Sequence, residues 1–269
     1  MKPTELGRTI IGIKGAGEMA TGVAVRLNRA GFSRIFMMEI EAPLAVRRGV
    51  SFCEAIHDGR AVVEAIEAVR VEGKSGITAA WGRGQLAVLV DPEWTVLEEM
   101  QTGVLIDATI AKRNLGTKIE DAPLVIGLGP GFTASVDVHR VVETMRGHDM
   151  GRVIETGSAQ ANTGVPGNIG GYTVERVLRS PADGTFQTEH EITDLVKAGE
   201  VVCCVAGKEV TAKISGVVRG LIREGTAVSK GTKIGDIDPR ANVTFCSTVS
   251  EKSRAIGGAV LEAILGAFT

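Results

Sequence analysis

Thr9-Ile10-Ile11-Gly12-Ile13-Lys14-Gly15-Ala16-Gly17-Glu18-Met19-Ala20 is the stretch that decides the fold. Its first half, Thr9 to Lys14, is a short apolar run that reads as a buried strand. The next residues form a Gly15-x-Gly17-x-x-Ala20 turn. From residue 18 to 30, Met19, Val23, Leu27 and Ala30 recur at helical spacing, and Gly31 stands where a helix ends. Arg34 to Met38 is a second strand closed by Glu39, so strand, glycine turn, helix and strand make one βαβ unit. In such a unit Gly15 permits the tight turn, Gly17 lets backbone approach a diphosphate, and Ala20 keeps helix close to strand. The first-turn N–H groups, including those of Ala16, Glu18 and Met19, face the anion. A tight turn without a ligand is the plainer reading of the same residues.

Outward from this unit the alternation continues. Ala61 to Val71 reads as a helix or short strand region, Gln85 to Val90 as a strand and Trp94 to Met100 as a short helix. Val104 to Ile106 and Leu124 to Leu128 are further strands. Strands alternating with helices predict a parallel sheet covered on its faces. After Gly131 the character changes to short β-prone runs between glycine turns, notably Val201 to Ala206, Val210 to Ile214, Val217 to Ile222 and Lys233 to Ile237. Glu251 to Phe268 is a last helix with Ile256, Val260 and Ile264 on one face, joined by Leu261 and Leu265. The expected class is therefore α/β: a Rossmann-like parallel sheet domain over 1–131, a smaller β-rich domain over 132–245, and a C-terminal helix over 246–269 returning to the first domain.

Composition narrows the function. The 269 residues suffice for one large or two modest domains, and 44% hydrophobic with 23% charged content suits a globular protein. Aromatics are only 4%, so the core rests on Val, Ile, Leu and Ala. A net charge of −2 without basic runs argues against nucleic acid. Met1 to Glu5 lacks an apolar signal core, and Gly257 to Phe268 is too short for a bilayer and carries Glu262. The four cysteines show no CxxC spacing. Reduced thiols and a cytoplasmic location are expected.

Candidate site residues gather at predicted strand ends. Glu39, with Glu41 as competitor, is placed to accept bonds from an adenosine ribose. Arg47 and Arg48 follow closely and offer guanidinium forks for a phosphate, or a solvated face. Asp107, Thr109, Lys112 and Arg113 follow the strand at 104–106, where polar residues line a crevice or cap a helix. Gly127 to Thr133 is a second glycine-rich turn in which Gly129 and Gly131 form an anion nest or a domain hinge. Asp137, His139, His148 and Asp149 match no tight metal site, so no metal is expected. Cys53 and His57 share a helical face, but a buried cysteine beside an exposed histidine is the favoured reading. Cys246, before the last helix, is read as a packing residue. No Ser-His-Asp order, GxSxG elbow or close carboxylate pair points to hydrolysis, and no catalytic residue is assigned.

Several runs together resemble the selenium-dependent molybdenum hydroxylase accessory proteins, distant relatives of the xanthine dehydrogenase accessory factors. They are Ile13 to Ala24, Pro43 to Ala55, Gly127 to Phe132, Asp137 to Gly151, Asn162 to Gly167 and Ala255 to Leu265. The resemblance spans nearly the whole chain. It implies an accessory factor in maturation of a molybdenum hydroxylase, acting during sulfur or selenium loading of the molybdenum cofactor. The ligand it implies is a nucleotide or molybdopterin-type cofactor, and the partner is the hydroxylase itself. Val210 to Pro239 also looks like half of a biotinyl/lipoyl-type barrel-sandwich module. It lacks the Met-Lys-Met hairpin, so this part is expected to be scaffold or docking surface. Two alternatives share the glycine turn: an NAD(P)-dependent oxidoreductase, and a non-catalytic chaperone that docks a partner enzyme. A homodimer is the default assembly.

Overall fold

A computed structural model describes residues 7–268. Met1 to Glu5, read above as lacking a signal core, lie outside the described residues.

The chain divides into two units. The first takes the residues up to Pro43, Ser51–Asn162, and those from Val249 onward; the second takes Leu44–Val50 and Thr163–Thr248. In the first unit β1 (Ile11–Lys14) leads through the glycine turn into α1 (Glu18–Arg29) and β2 (Ile35–Glu39). Gly31, just past the helix, takes a left-handed φ of 96° that only glycine adopts without strain. Next come α2 (Glu54–Asp58), β3 (Arg60–Val63), β4 (Ile66–Arg70), α3 (Gly73–Gly82), β5 (Leu86–Val90), α4 (Val96–Met100) and β6 (Val104–Asp107). β7 (Leu124–Leu128), β8 (Thr133–Ala134), β9 (Arg140–Val142), β10 (Val153–Ile154) and β11 (Gly157–Ser158) complete its strands.

Nine strands form one sheet in the order β10-β9-β7-β6-β1-β2-β5-β4-β3. All neighbours pair parallel except the outermost strand at each edge. From β1 the chain runs outward to β2 and β5, then crosses back to β6 on the other side and continues to β7 and β9. The direction of winding therefore reverses between β1 and β6, and two adjacent strands send their following loops apart there. Ile11, Ile13, Leu105, Ile106, Val125 and Ile126 are fully buried. Being covered on both faces explains why these strands read as unbroken apolar runs and not as alternation. Each such side chain contributes about 1.5–3 kcal/mol of burial.

The region 61–71 resolves as a hairpin. Glu64 and Ala65, both at positive φ (48° and 69°), make the two-residue turn between β3 and β4. Neither is glycine, and Glu64 is held there by ion pairs to Arg29 and Arg254, each 2.7 Å.

The last helix, α5 (Glu251–Phe268), belongs to the first unit and packs on α1. Gly22 and Gly257 set this contact. A Cβ on Gly22 would lie 2.5 Å from Ser253 Cβ, and one on Gly257 would lie 2.9 Å from Gly22 O. Ile256, Val260 and Ile264 are buried, whereas Leu265 is 41% exposed and stands off the packed face.

The expected boundary after Gly131 is corrected to one after Asn162. The chain does not leave the sheet at the second glycine turn; β9 returns to pair parallel with β7, Ile126 opposite Arg140 through Leu128 opposite Val142. A further correction is that 44–50, expected within the first domain, belongs to the second unit.

The second unit is β-rich. β12 (Val177–Arg179), β13 (Gly184–Gln187), β14 (Leu195–Val196), β15 (Val201–Val205), β16 (Lys208–Thr211), β17 (Gly216–Leu221), β18 (Ala227–Val228) and β19 (Lys233–Asp238) make two four-stranded sheets, β12-β19-β17-β14 and β16-β15-β13-β18. Phe186, Val202, Val205, Val218, Ile222, Ile234 and Ile237, drawn from both sheets and their turns, share one core. Among the described residues no helix is long and apolar enough to cross a membrane.

Candidate functional site

The carboxyl ends of β1, β2, β6, β7 and β9 gather the polar residues of the first unit. At the end of β1, Gly15 takes φ 87°, which its sequence position demands of a glycine, and its N–H donates to Met38 O at 2.7 Å. A Cβ there would press to 3.3 Å of Ala108 O and Thr109 Cα. Ala16 is buried, and its N–H donates to Glu39 Oε2 at 2.9 Å. Ala20 is fully buried, letting α1 lie close on the sheet.

Gly17 is different. It is the N-cap of α1 with φ −70° and ψ −172°, an extended conformation open to any residue, and it makes no side-chain cap. A Cβ on it would meet nothing within 4 Å. Neither backbone conformation nor packing within the chain demands glycine here. The N–H groups that begin α1, those of Glu18, Met19 and Ala20, precede the first intrahelical bond, Thr21 N–H to Gly17 O at 2.8 Å. They bring the positive end of the helix to this open space.

Glu39 ends β2 beside the turn. Its carboxylate accepts from Ala16 N and from Ile40 N, both at 2.9 Å. The turn thus already holds one carboxylate by a backbone amide. Glu41 is exposed.

Beyond β6, Asp107 is buried and fully engaged. It accepts from Thr109 N (3.1 Å), Thr109 Oγ1 (2.7 Å) and Thr117 Oγ1 (2.7 Å). Lys14, 1% exposed, donates to Thr117 Oγ1 at 2.8 Å and pairs with Asp121 at 3.3 Å, its ammonium 5.2 Å from the Trp94 ring centroid. This network fixes the loop that presses on Gly15, so Asp107 acts as a loop anchor. Lys112 is exposed at φ 63°. Sequence reading passed over Lys14, although a lysine ending a buried strand is itself a signal, because its charge must find partners.

The second glycine turn owes its glycines to the chain itself. A Cβ on Gly127 would lie 2.5 Å from the Phe132 ring, one on Gly129 2.5 Å from Thr144 Oγ1, and one on Gly131 2.7 Å from the Arg113 backbone. Gly129 N–H donates to Val142 O at 2.9 Å. A nest there would have to spend the Gly129 amide, which is already bonded.

Arg47 and Arg48 belong to the second unit. Arg47 is buried and donates to Phe245 O (2.8 Å) and Thr248 O (3.3 Å); Arg48 donates to Leu221 O (2.9 Å). Both guanidinium groups thus donate to carbonyls within the second unit. His57 Nε2 faces Pro43 O at 3.2 Å, while Cys53 is buried. Burial pushes the Cys246 thiol above its ordinary value despite Arg47 and Arg219 nearby, and pushes Cys203 up to about 12. Both stay protonated at neutral pH and lack the thiolate that nucleophilic chemistry needs.

One further group lies at this mouth. Ser250 donates to Glu18 Oε1 at 3.0 Å and accepts from Ser253 N at 3.3 Å, tying the start of α5 to the start of α1. Lys252 follows, within electrostatic reach of Glu18, Glu143, Glu251 and Arg146. Burial, then Arg146, holds its ammonium below the usual lysine range against the pull of the three carboxylates. Glu143, 2% exposed, accepts from Met145 N (2.7 Å) and Gln160 N (2.8 Å). Lys252 was missed because nothing local in Glu251-Lys252-Ser253 distinguishes it from a solvated helix start.

No family model matches the chain. It is 46% identical over 266 residues to the uncharacterized protein YqeB of Escherichia coli strain K12, covering 98% of this chain and 49% of that protein. The chain thus spans about half the length of the curated relative it matches. Among solved structures it is similar to the product-bound ectoine utilization protein EutE (DoeB) from Ruegeria pomeroyi, at 13% identity over 80% of this chain and 61% of that one, with a TM-score of 0.25. It is likewise similar to a succinylglutamate desuccinylase/aspartoacylase from Rhodobacter sphaeroides, at 12% identity over 86% of both chains, with a TM-score of 0.26. At such TM-scores these likenesses bear on neither fold nor chemistry.

Proposed function

We propose that the first unit is a Rossmann-like nucleotide-binding domain, and that the chain serves as an accessory factor in maturation of a selenium-dependent molybdenum hydroxylase. The strand order supports the first part: with β3, β4 and β10 set aside, β5-β2-β1-β6-β7-β9 repeats the 3-2-1-4-5-6 succession of dinucleotide-binding sheets. The observation that carries it is Gly17, a glycine that the chain's own geometry does not require, facing open space at a helix start. A diphosphate there would accept from the N–H groups of Gly17, Glu18 and Met19, with Glu39 turned to a ribose. That fits the phosphates of a nucleotide, of NAD(P) or of molybdopterin. The maturation role rests on the sequence resemblance.

The test is calorimetry against NAD, NADP, ATP, CTP and a molybdopterin-containing extract, repeated with Gly17→Val. Binding by one of these that disappears in the variant supports the domain reading; no binding by any favours a docking-only chaperone. A pull-down that fails to recover a molybdenum hydroxylase would sink the maturation role.

Lys252 favours a second reading, an NAD(P)-dependent oxidoreductase. Lys252, within electrostatic reach of Glu18 at the start of α1 and with its ammonium held below the usual lysine range by burial and Arg146, would be the proton donor that such chemistry needs. That reading requires a nicotinamide absorbance change with a small substrate, lost in Lys252→Met.

A further inference from the structure

In the second unit, segment 188–194 joins β13 to β14. Thr188 Oγ1 donates to Val202 O at 2.7 Å, and Thr193 N–H donates to Val218 O at 2.9 Å. Between these ties stands His190. Its Nδ1 lies 3.2 Å from Asp194 Oδ2, and its Nε2 lies 3.1 Å from Val201 O. An ionised carboxylate and a carbonyl can only accept. A neutral imidazole carries one N–H, so it makes one of these bonds and turns a lone pair toward the other oxygen; the imidazolium makes both. Glu200 Oε1 stands 3.8 Å from Nε2, a further negative charge beside the ring.

The ring also lines a cavity of about 580 Å³. Among the described residues, the other ionisable groups on its wall are Glu189, Glu209 and Glu224 and the thiols of Cys203 and Cys204. No lysine or arginine lines it, so the charges on this wall and beside the ring are negative. The segment is strained as well. Thr193 takes φ 98°, a left-handed value that a β-branched residue rarely adopts. The adjoining Asp194 holds it there. The Asp194 carbonyl accepts from Val218 N at 2.8 Å, and its carboxylate accepts from Glu191 N at 2.9 Å as well as from His190.

We propose that segment 188–194 is a proton-operated latch over this cavity. With His190 charged, the ring spans Asp194 and Val201 and holds the segment to the start of β15. Loss of its proton forfeits one of the two bonds. The strain at Thr193 then draws the segment away from β15 and widens the cavity. Backbone strain of this kind persists only while the surrounding contacts over-determine it, so weakening one of them releases it. Imidazole is the side chain that changes charge near neutral pH, which suits it to this task.

Amide hydrogen exchange of the full chain at pH 5.5 and pH 8.5, read by NMR as protection factors corrected for intrinsic exchange, tests this. Glu191, Thr193 and Val218, whose N–H groups hold the segment, should lose at least fivefold in protection at the higher pH relative to the amides of β19. His190→Gln should leave less than a twofold difference between the two pH values. Thr193→Gly relieves the strain while leaving the ring in place, and should shrink the fall at least twofold. Equal protection of the parent chain at both pH values, or a fall that persists in His190→Gln, overturns the proposal; a fall undiminished in Thr193→Gly overturns the part given to strain.

Discussion

The two glycine turns of the first unit look alike as sequence and differ as structure. At 127–131 each glycine is pressed by its own chain: Gly127 by the Phe132 ring, Gly129 by Thr144, Gly131 by the Arg113 backbone. At 15–17 only Gly15 is so constrained, and Gly17 opens onto nothing. A glycine has two broad uses, a close approach or positive φ within the chain, and room for something outside it. The second turn spends its glycines on the first use, while Gly17 is left for the other. The contrast therefore assigns a structural use to the glycines of the second turn and to Gly15. It leaves Gly17 as the glycine whose use within the chain is not shown, the one on which the proposed ligand contact rests.

The largest effect should come from Gly131→Ala. Its φ of 114° disfavours any side chain, and the new Cβ would fall 2.7 Å from Arg113 backbone atoms that cannot swing aside. A loss of about 3 kcal/mol is expected from strain and displaced packing together, read as a lowered urea midpoint with unchanged slope. A midpoint within error of the parent protein would mean that the second turn is as unburdened as Gly17.

Gly17→Val should do the reverse. Valine adopts the extended N-cap conformation and meets no neighbour, so stability changes by about 1 kcal/mol or less. Nucleotide affinity should fall at least tenfold, about 1.4 kcal/mol, because the side chain fills the space that a phosphate would occupy. Unfolding curves and calorimetry on the same preparation separate the two effects. Equal loss of fold and of binding would erase the contrast between the turns.

The first turn was legible because its signals are local: strand, glycines, helical period and second strand all fall within Thr9 to Glu39. Elsewhere the deciding contacts are remote in sequence. The β3–β4 hairpin was ambiguous because Glu64-Ala65 carries no turn residue; its left-handed backbone is braced by Arg29 and, from α5, Arg254. Gly73–Gly82 was not read as a helix, since glycines at 73, 76 and 82 mask its period. Gly129-Pro130-Gly131 reads in sequence as an anion nest or a domain hinge, and as the end of the first domain, because the strand that follows, Arg140–Val142, has only three residues to announce it. Arg47 and Arg48 were drawn toward the turn by nearness to Glu39 in sequence, yet 44–50 lies in the other unit. Asp107 was placed correctly at a strand end, but its engagement by Thr109 and Thr117 shows only in three dimensions.

The smallest effect concerns His139, which helps brace the strands beneath the second turn. Its Nδ1 accepts from Val125 N–H at 3.0 Å, so the ring is bonded as a neutral imidazole between β7 and β9. Burial, then Arg140, lowers its pKa below 6.5, with Glu120 pulling the other way. The unfolded chain therefore binds the proton more readily than the folded one, and stability must rise with pH across that interval. The contribution is whole above pH 6.5 and declines as pH falls below it, as protonation of Nδ1 breaks the bond to Val125. On the order of 0.5 kcal/mol is expected, the low end for one hydrogen bond. His139→Gln keeps an acceptor without the titration, so the difference in urea midpoint between parent and variant should shift in the variant's favour from pH 8 to pH 5.5. A difference that stays constant would detach His139 from the support of the second turn and leave that support to Phe132, Thr144 and the Arg113 backbone alone.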